Sequence, residues 1–359
     1  MFSTVPWGRP GRAPRRPHNP GVTNQRATLS KRLPTRTLPE HDFVPTLHIS
    51  RPDEMILVVP HMLGFWPDRS IVVVLLVEGR VEVTARADLD CGPVELAEVI
   101  QPIIARFPGH RALLIGYGAR AEVDDAVAGA EMLFAPETLI DSLGTDGRRW
   151  WSRAGAGGSM SGRALRDIGQ TIPALTTGLL PDRSALARQF AGPAPDSCQT
   201  LAVRMNDLLD VVAGCGRAER TARVTELVRH AVATDEASGL DDDQRLELGA
   251  LVQDIAARDA AWMSITRDEA AEHLALWRSV LDLTPEPQAP PVLCLAATAG
   301  WLSGNGAVMN ICLERALDIQ PSYSLAQLLT DVMRQAIPPG AWDQLAGSTV
   351  DLSEYGDEP

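Results

Sequence analysis

Three short stretches of this 359-residue chain hold the side chains best suited to chemistry. "GFWPDRS" sets Asp68, Arg69 and Ser70 side by side in a polar break between two apolar runs. Arg69 and Ser70 suit an anion, with Asp68 as an acid/base group and His61 close in sequence. "DGRRWWS" joins Arg148, Arg149 and Arg153 to Trp150 and Trp151, a set able to stack on and clamp a base or other planar anion. "LIGYG" puts Gly116 and Gly118 at the end of an apolar run and before a helical pattern, where α/β proteins bind ligands.

Each stretch also has a purely structural reading. Gly64 can end a helix, Pro67 and Asp68 can form a turn, and Phe65 or Trp66 can plug a sheet edge. In a strand, successive side chains face opposite ways, so only one of Trp150 and Trp151 can line a site. The other belongs to the core, with Arg149 snorkelling over its neighbour. A lone G-x-G lacks the third glycine of the dinucleotide fingerprint. For the first two stretches the structural reading is preferred, and "DGRRWWS" is the best small-molecule candidate.

Composition removes several chemistries. Lys31 is the single lysine, so the rest of the chain has none for a Walker A loop, a kinase phosphate contact or a Schiff base. The five cysteines form no C-x-x-C pair and their number is odd, against a disulfide framework or a zinc site. Cys294 and Cys312 sit in apolar helical patterns and read as small core residues. No H-E-x-x-H pattern occurs; His110, His230 and His273 read as surface or satisfied structural histidines. Ser159 and Ser161 in "GGSMSG" lack the flanking glycines of a nucleophile elbow, which leaves a flexible linker. No motif calls for a metal or cofactor.

Charge is uneven. Residues 1–39 hold eight of the 33 Lys/Arg and no Asp/Glu, leaving 25 basic against 46 acidic residues elsewhere, a formal −21. An acidic body argues against nucleic acid as a partner, except through the basic N-terminal tail. That tail is Pro/Arg-rich with few apolar residues, the composition of disorder. The longest apolar run, "SIVVVLLV", is strand-sized and too short for a membrane span. The N-terminus lacks the apolar segment of a secretory signal, so a cytoplasmic protein is expected.

The elements that must position these residues follow from periodicity. "TLHIS" reads as a strand and "RPDEMILVVPHMLG" as a helix opened by Pro52, Asp53 and Glu54 and stopped at Gly64. "IVVVLLV" is a strand buried on both faces, joined through "EGR" to "VEVTARADL" in an antiparallel hairpin. A helix over "GPVELAEVIQPIIARF", a buried strand "RALLIGYG", a helix over "AEVDDAVAGAEMLF" and a last sheet segment "TLIDSLGTDGRRWWS" come next. A Gly/Ser/Pro-rich connector holds a short helix near "DRSALARQFAG". Beyond it everything is helical, including one long helix over "TDEASGLDDDQRLELGALVQDIAARDAAW" with Leu248, Leu251, Val252 and Ile255 on one face. "A-G-W-L-S-G" followed by "LERALDIQP" echoes half a tetratricopeptide hairpin. One echo is too few for a solenoid and reads as local packing.

In order and spacing, "LHISRPDEMILVVPHMLGFWPDRSIVVVLLVEGRVEVTARADL", "ALLIGYG", "DGRRWWS", "PDRSALARQFA", "AARDAAW", "HLALWRSVLDLTP" and "LAATAGWLSGNGAVMNICLERALDIQPSYSLAQLL" together resemble the actinobacterial domain-of-unknown-function 4192 family, over about residues 46–345. The segment from Leu63 to Ser70 is the most specific part. The resemblance implies no established activity, cofactor or partner. Members often carry cysteines after the Trp-Trp segment. This chain has "RAGAGGSMSG" there, so no metal or redox role passes to it.

The expected architecture is an α/β domain, a mixed sheet with flanking helices, followed by an all-α C-terminal domain. The boundaries are a disordered tail at 1–42, the α/β domain at 43–155, a connector at 156–197, the helical domain at 198–346 and an acidic tail at 347–359. The expected function is a non-enzymatic binding or regulatory protein with an unknown protein or small-molecule partner. The alternative is an enzyme or sensor holding a small anionic or planar metabolite at Asp68, Arg69, Ser70, Gly116, Gly118, Arg149 and Trp150.

Overall fold

The computed structural model describes residues 2–4, 47–49, 51–153, 162–166, 179–233 and 239–346. The basic tail, the connector and the "GGSMSG" linker, and the acidic tail lie outside these residues apart from the pieces 2–4, 162–166 and 179–197.

The N-terminal part is a mixed sheet with helices on both faces. Its strands are β1 (Phe2–Thr4), β2 (Leu47–Ile49), β3 (Ser70–Val77), β4 (Arg80–Asp88), β5 (Arg111–Tyr117), β6 (Leu139–Thr145), β7 (Arg149–Ser152) and β8 (Arg163–Ala164), in the order β2-β1-β4-β3-β5-β6-β7-β8. The expected hairpin is present: β3 and β4 pair antiparallel across Glu78 (φ 51°) and Gly79 (φ 79°), two left-handed residues of the kind that match strand twist. β5 and β6 form a parallel pair, while β3–β5, β6–β7 and β7–β8 are antiparallel.

Helix α1 (Pro52–Leu63) begins with proline in its first turn, and the Glu54 carboxylate accepts the Arg51 N–H at 3.0 Å. It stops at Gly64, whose φ of 81° is cheap only for glycine. Helices α2 (Pro93–Arg106) and α3 (Arg120–Glu131) cover the other face. β3 decides both cores. Ile71, Val73 and Leu75 meet Leu96, Ile100, Val123 and Val127 of α2 and α3. Val72, Val74 and Leu76 meet α1 in a second cluster that runs on into the C-terminal helices.

Those helices are α4 (Arg183–Arg188), α5 (Pro195–Gly214), α6 (Arg217–Val232), α7 (Asp242–Leu251), α8 (Ile255–Met263), α9 (Ala270–Leu281), α10 (Ala289–Leu302), α11 (Gly306–Ile319), α12 (Ser324–Arg334) and α13 (Gly340–Ala346). Every residue of α10 is buried, which makes it the central helix of the bundle. The tetratricopeptide echo falls on α10 and α11, packed against each other inside that bundle. Cys294 and Cys312 lie buried in it, and burial pushes both thiols up.

The long helix expected over residues 234–262 is instead two helices where it is described. Asp254 accepts the Ala257 N–H at 3.0 Å and caps α8, which turns Ile255 out to 66% exposure rather than onto the buried face. A side chain able to cap ended the periodic pattern.

His273 on α9 is neither at the surface nor fully satisfied. It is 1% exposed and its Nδ1 has no partner among the described residues. Burial lowers its pKa, opposed by Glu269, the Ser264 backbone and Glu272. The folded value thus lies below the unfolded one, so the unfolded chain takes up the proton first and stability falls as pH drops below about 6.5. In His273→Gln the melting temperature should depend less on pH between about 6.5 and 5. A wild-type slope unchanged by the substitution would show that other groups carry it.

Candidate functional site

Strand register brings the residues singled out in the sequence to one end of the sheet. Ser70 pairs with Tyr117, Tyr117 with Thr145, and Thr145 with Trp150. β3 and β7 run in the same direction, so Arg69 and Arg149 both lie just beyond this row, together with Gly118 and Asp146. Strands stand about 4.8 Å apart, so three steps separate Ser70 from Trp150 by about 14 Å. The convergence is a line along a sheet edge, too long for one small planar ligand to touch both ends.

At the β3 end, the stretch after Gly64 forms a bridge at Phe65 and no turn at Pro67 and Asp68. Phe65 bridges to Leu180 and the Trp66 N–H bonds the Leu180 carbonyl at 2.9 Å. The edge-plug reading is met: Phe65 is 1% exposed, and Trp66 meets Tyr117 edge-on with ring centroids 5.9 Å apart. The chain bends at Arg69, whose φ of 41° is costly for a residue with a Cβ. The Arg69 carbonyl accepts the Leu89 N–H at 2.8 Å, holding β4 to this corner.

Arg69 reaches across to α3, where its Nη1 donates to both carboxylate oxygens of Glu122 at 2.8 and 2.7 Å. That hydrogen bond raises the guanidinium pKa further. Ser70 is fully buried: its hydroxyl donates to the Asp68 carbonyl at 2.6 Å and accepts from Arg86 Nε at 2.9 Å. The Ser70 hydroxyl is therefore a brace between strands.

In the middle of the edge, Tyr117 is buried and donates to the Ile56 carbonyl of α1 at 2.9 Å. Burial drives its phenol well above the usual range, so it stays a neutral donor. Gly116 lies one row deeper, where a Cβ would come within 2.4 Å of Val123. It lets α3 close onto the sheet. Gly118 has φ 142° and its Cβ position is 3.1 Å from Leu89 and 3.6 Å from the Arg69 Cα. The two glycines thus serve packing and a tight corner.

At the β7 end the alternation holds and both indoles are buried. Trp150, 7% exposed, joins the cluster on the α1 side, with Arg163 over its ring at 5.6 Å. Trp151, 5% exposed, joins the α2 and α3 side. Its Nε1 donates to Asp124 at 2.9 Å, and Arg120 lies over its ring at 4.9 Å. Gly144 makes room for it, since a Cβ there would sit 2.4 Å from the ring. Arg149 does not snorkel over a tryptophan; its Nη2 donates to the Gly162 carbonyl at 2.7 Å. Asp146 accepts the N–H groups of Arg148 and Arg149 at 2.8 and 2.6 Å. Desolvation pushes this carboxyl up, but those N–H groups outweigh it and its pKa sits below the ordinary value.

The partners that complete these contacts, Arg86, Arg120, Glu122, Asp124 and Arg163, were not legible beforehand. Each is an ordinary charged residue on an amphipathic element, and only strand register or helix packing assigns its neighbour. Among the described residues, no three His, Cys, Asp or Glu side chains gather to hold a metal ion, and no helix is long and apolar enough to cross a membrane.

In comparisons with known proteins, one family model matches residues 52–340, described as "Domain of unknown function (DUF4192)". No curated protein and no solved structure matches the chain.

Proposed function

Since the chain belongs to the family described as domain of unknown function DUF4192, its role has to be argued from its own side chains, and we propose a non-enzymatic binding or regulatory protein that works through surface contacts. One observation carries this reading. The polar groups at the sheet end engage one another: Arg69 with Glu122, Ser70 with Arg86, Trp151 with Asp124, and Arg149 with Gly162. A catalytic or metabolite site needs groups converging on one vacant position. These converge on their neighbours along a line. The acidic body and the missing catalytic motifs point the same way.

A thermal-shift screen of the full chain against nucleotides, sugar phosphates and small carboxylates tests this. No compound should raise the melting temperature. A ligand at a hundred times its Kd would add about 2.7 kcal/mol, equal to several degrees for a protein of this size. A compound that stabilises wild type but not Arg69→Ala or Arg149→Ala would overturn the proposal in favour of a metabolite sensor or enzyme.

A further inference from the structure

β1 and β2 lie side by side and parallel at the edge of the sheet, Phe2 opposite Leu47 and Thr4 opposite Ile49. No hairpin joins parallel strands, so the link between them, residues 5–46, has to pass over one face of the sheet. The hand of the other crossovers fixes the face. β4 and β5 run in one direction and are joined through α2; β5 and β6 are joined through α3, on the same face. β2 and β3 run the opposite way, and α1 joins them across the other face. Reversing both direction and face preserves the hand, so all three crossovers share the right-handed sense that parallel strands adopt. From β1 to β2 the strands run opposite to β5 and β6, and the step goes toward the opposite edge. These two reversals cancel, and a right-handed link falls on the face of α2 and α3.

That face is incompletely covered on its β1 side. Val83, Ala85 and Ala87 of β4 turn toward it and are only half-buried. Pro93 of α2 faces α3, 3.7 Å from the Cβ position of Gly129. At about 100° per residue, Glu95, Glu98, Val99 and Pro102 lie on the side of α2 away from α3. All four are exposed, Val99 by 50%. Asp88 and Asp90, also exposed, precede the helix.

We propose that residues 5–46 cross the sheet beside α2 and dock on this flank, with basic side chains against Glu95 and Glu98 and apolar ones over Val99 and β4. The charges are complementary: the segment holds eight Lys/Arg against two acids, Glu40 and Asp42, and carries Val5 and Trp7 next to β1. Its length is no obstacle. Thr4 and Leu47 stand about 8 Å apart, α2 is about 21 Å long, and the extended segment spans more than about 100 Å. Tied at both ends, it binds intramolecularly, so individually weak charge pairs suffice. The flank is then an interaction surface whose occupant is the chain itself.

Lys31, the single lysine, lies in this segment and reports where it sits. Carbodiimide coupling of the full chain at about 20 mM salt, where surface charges are little screened, should join Lys31 to Glu95 or Glu98. Peptide mass spectrometry identifies the carboxylate. Coupling to Glu54 at the start of α1 would place the segment on the opposite face and overturn the proposal. Coupling only to the helical bundle, or no coupling, would overturn it as well. Trypsin gives a second readout, because the segment holds eight of its sites. Glu98→Arg should speed cleavage within residues 5–46 about threefold by replacing attraction with repulsion. Asp210→Arg makes the same charge change on the exposed side of α5 and should leave the wild-type rate. A Glu98→Arg variant cut no faster than wild type, or equal acceleration by both substitutions, would count against docking on α2.

Discussion

Trp277→Ala should lose about 3–5 kcal/mol of unfolding free energy, enough to remove much of the stability of an ordinary domain. Trp277 is 0% exposed and sits on α9 within the apolar cluster that joins the sheet to the helical bundle. Truncation removes a large apolar side chain and leaves a cavity that close-packed neighbours fill only in part. Its indole Nε1 has no hydrogen-bond partner among the described residues. An unpaired buried donor costs about 1–3 kcal/mol, so Trp277→Phe, which deletes it while keeping an aromatic ring, should lose far less than the alanine variant. Urea unfolding followed by circular dichroism checks both. Equal losses for Phe and Ala would mean that the N–H has a partner after all. A loss under about 1 kcal/mol for Ala would contradict the burial.

Trp151→Ala should cost a similar amount, about 3–5 kcal/mol, and it separates a structural indole from a ligand platform. Trp151 is packed against Gly144, covered by Arg120 and bonded through Nε1 to Asp124. Trp151→Phe keeps most of the apolar area and loses the bond to a carboxylate, for which about 1.5–3 kcal/mol is typical, toward the low end where the acceptor is partly solvated. A residue kept for stacking on a ligand would behave oppositely: its removal would leave stability near wild type. Guanidinium unfolding midpoints at constant m-value provide the comparison. An alanine variant as stable as wild type would return the Trp-Trp pair to the candidate binding residues.

Much of the fold was legible. Continuous β-branched residues in "IVVVLLV" mark a strand buried on both faces, and β3 is that strand. Pro52, the acids after it and Gly64 bracket α1, because each acts on backbone geometry within one turn of itself. The opposite burial of Trp150 and Trp151 follows from the two-residue period of any strand. Errors arose where a local signal had two readings. Pro67-Asp68 is compatible with a turn, but the chain bridges to Leu180 just before it and bends only at Arg69. Asp254 reads as a polar residue within a helical pattern until its cap on Ala257 shows that the pattern breaks there.

The candidate site divides along the same line. The amino-acid sequence by itself determined which lysine- and cysteine-based motifs are missing, where most of the strands and helices run, and that Asp68, Arg69, Ser70, Gly116, Gly118, Arg149 and Trp150 fall at element ends. Those are properties of residue type and short-range spacing. Only the tertiary structure decided that these residues share one end of the sheet, that they spread along it in a row, and that Glu122, Arg86, Asp124 and Gly162 engage them. Strand register and helix packing are settled by burial summed over two cores, and no single stretch of sequence specifies which distant charge will stand within hydrogen-bond reach of another.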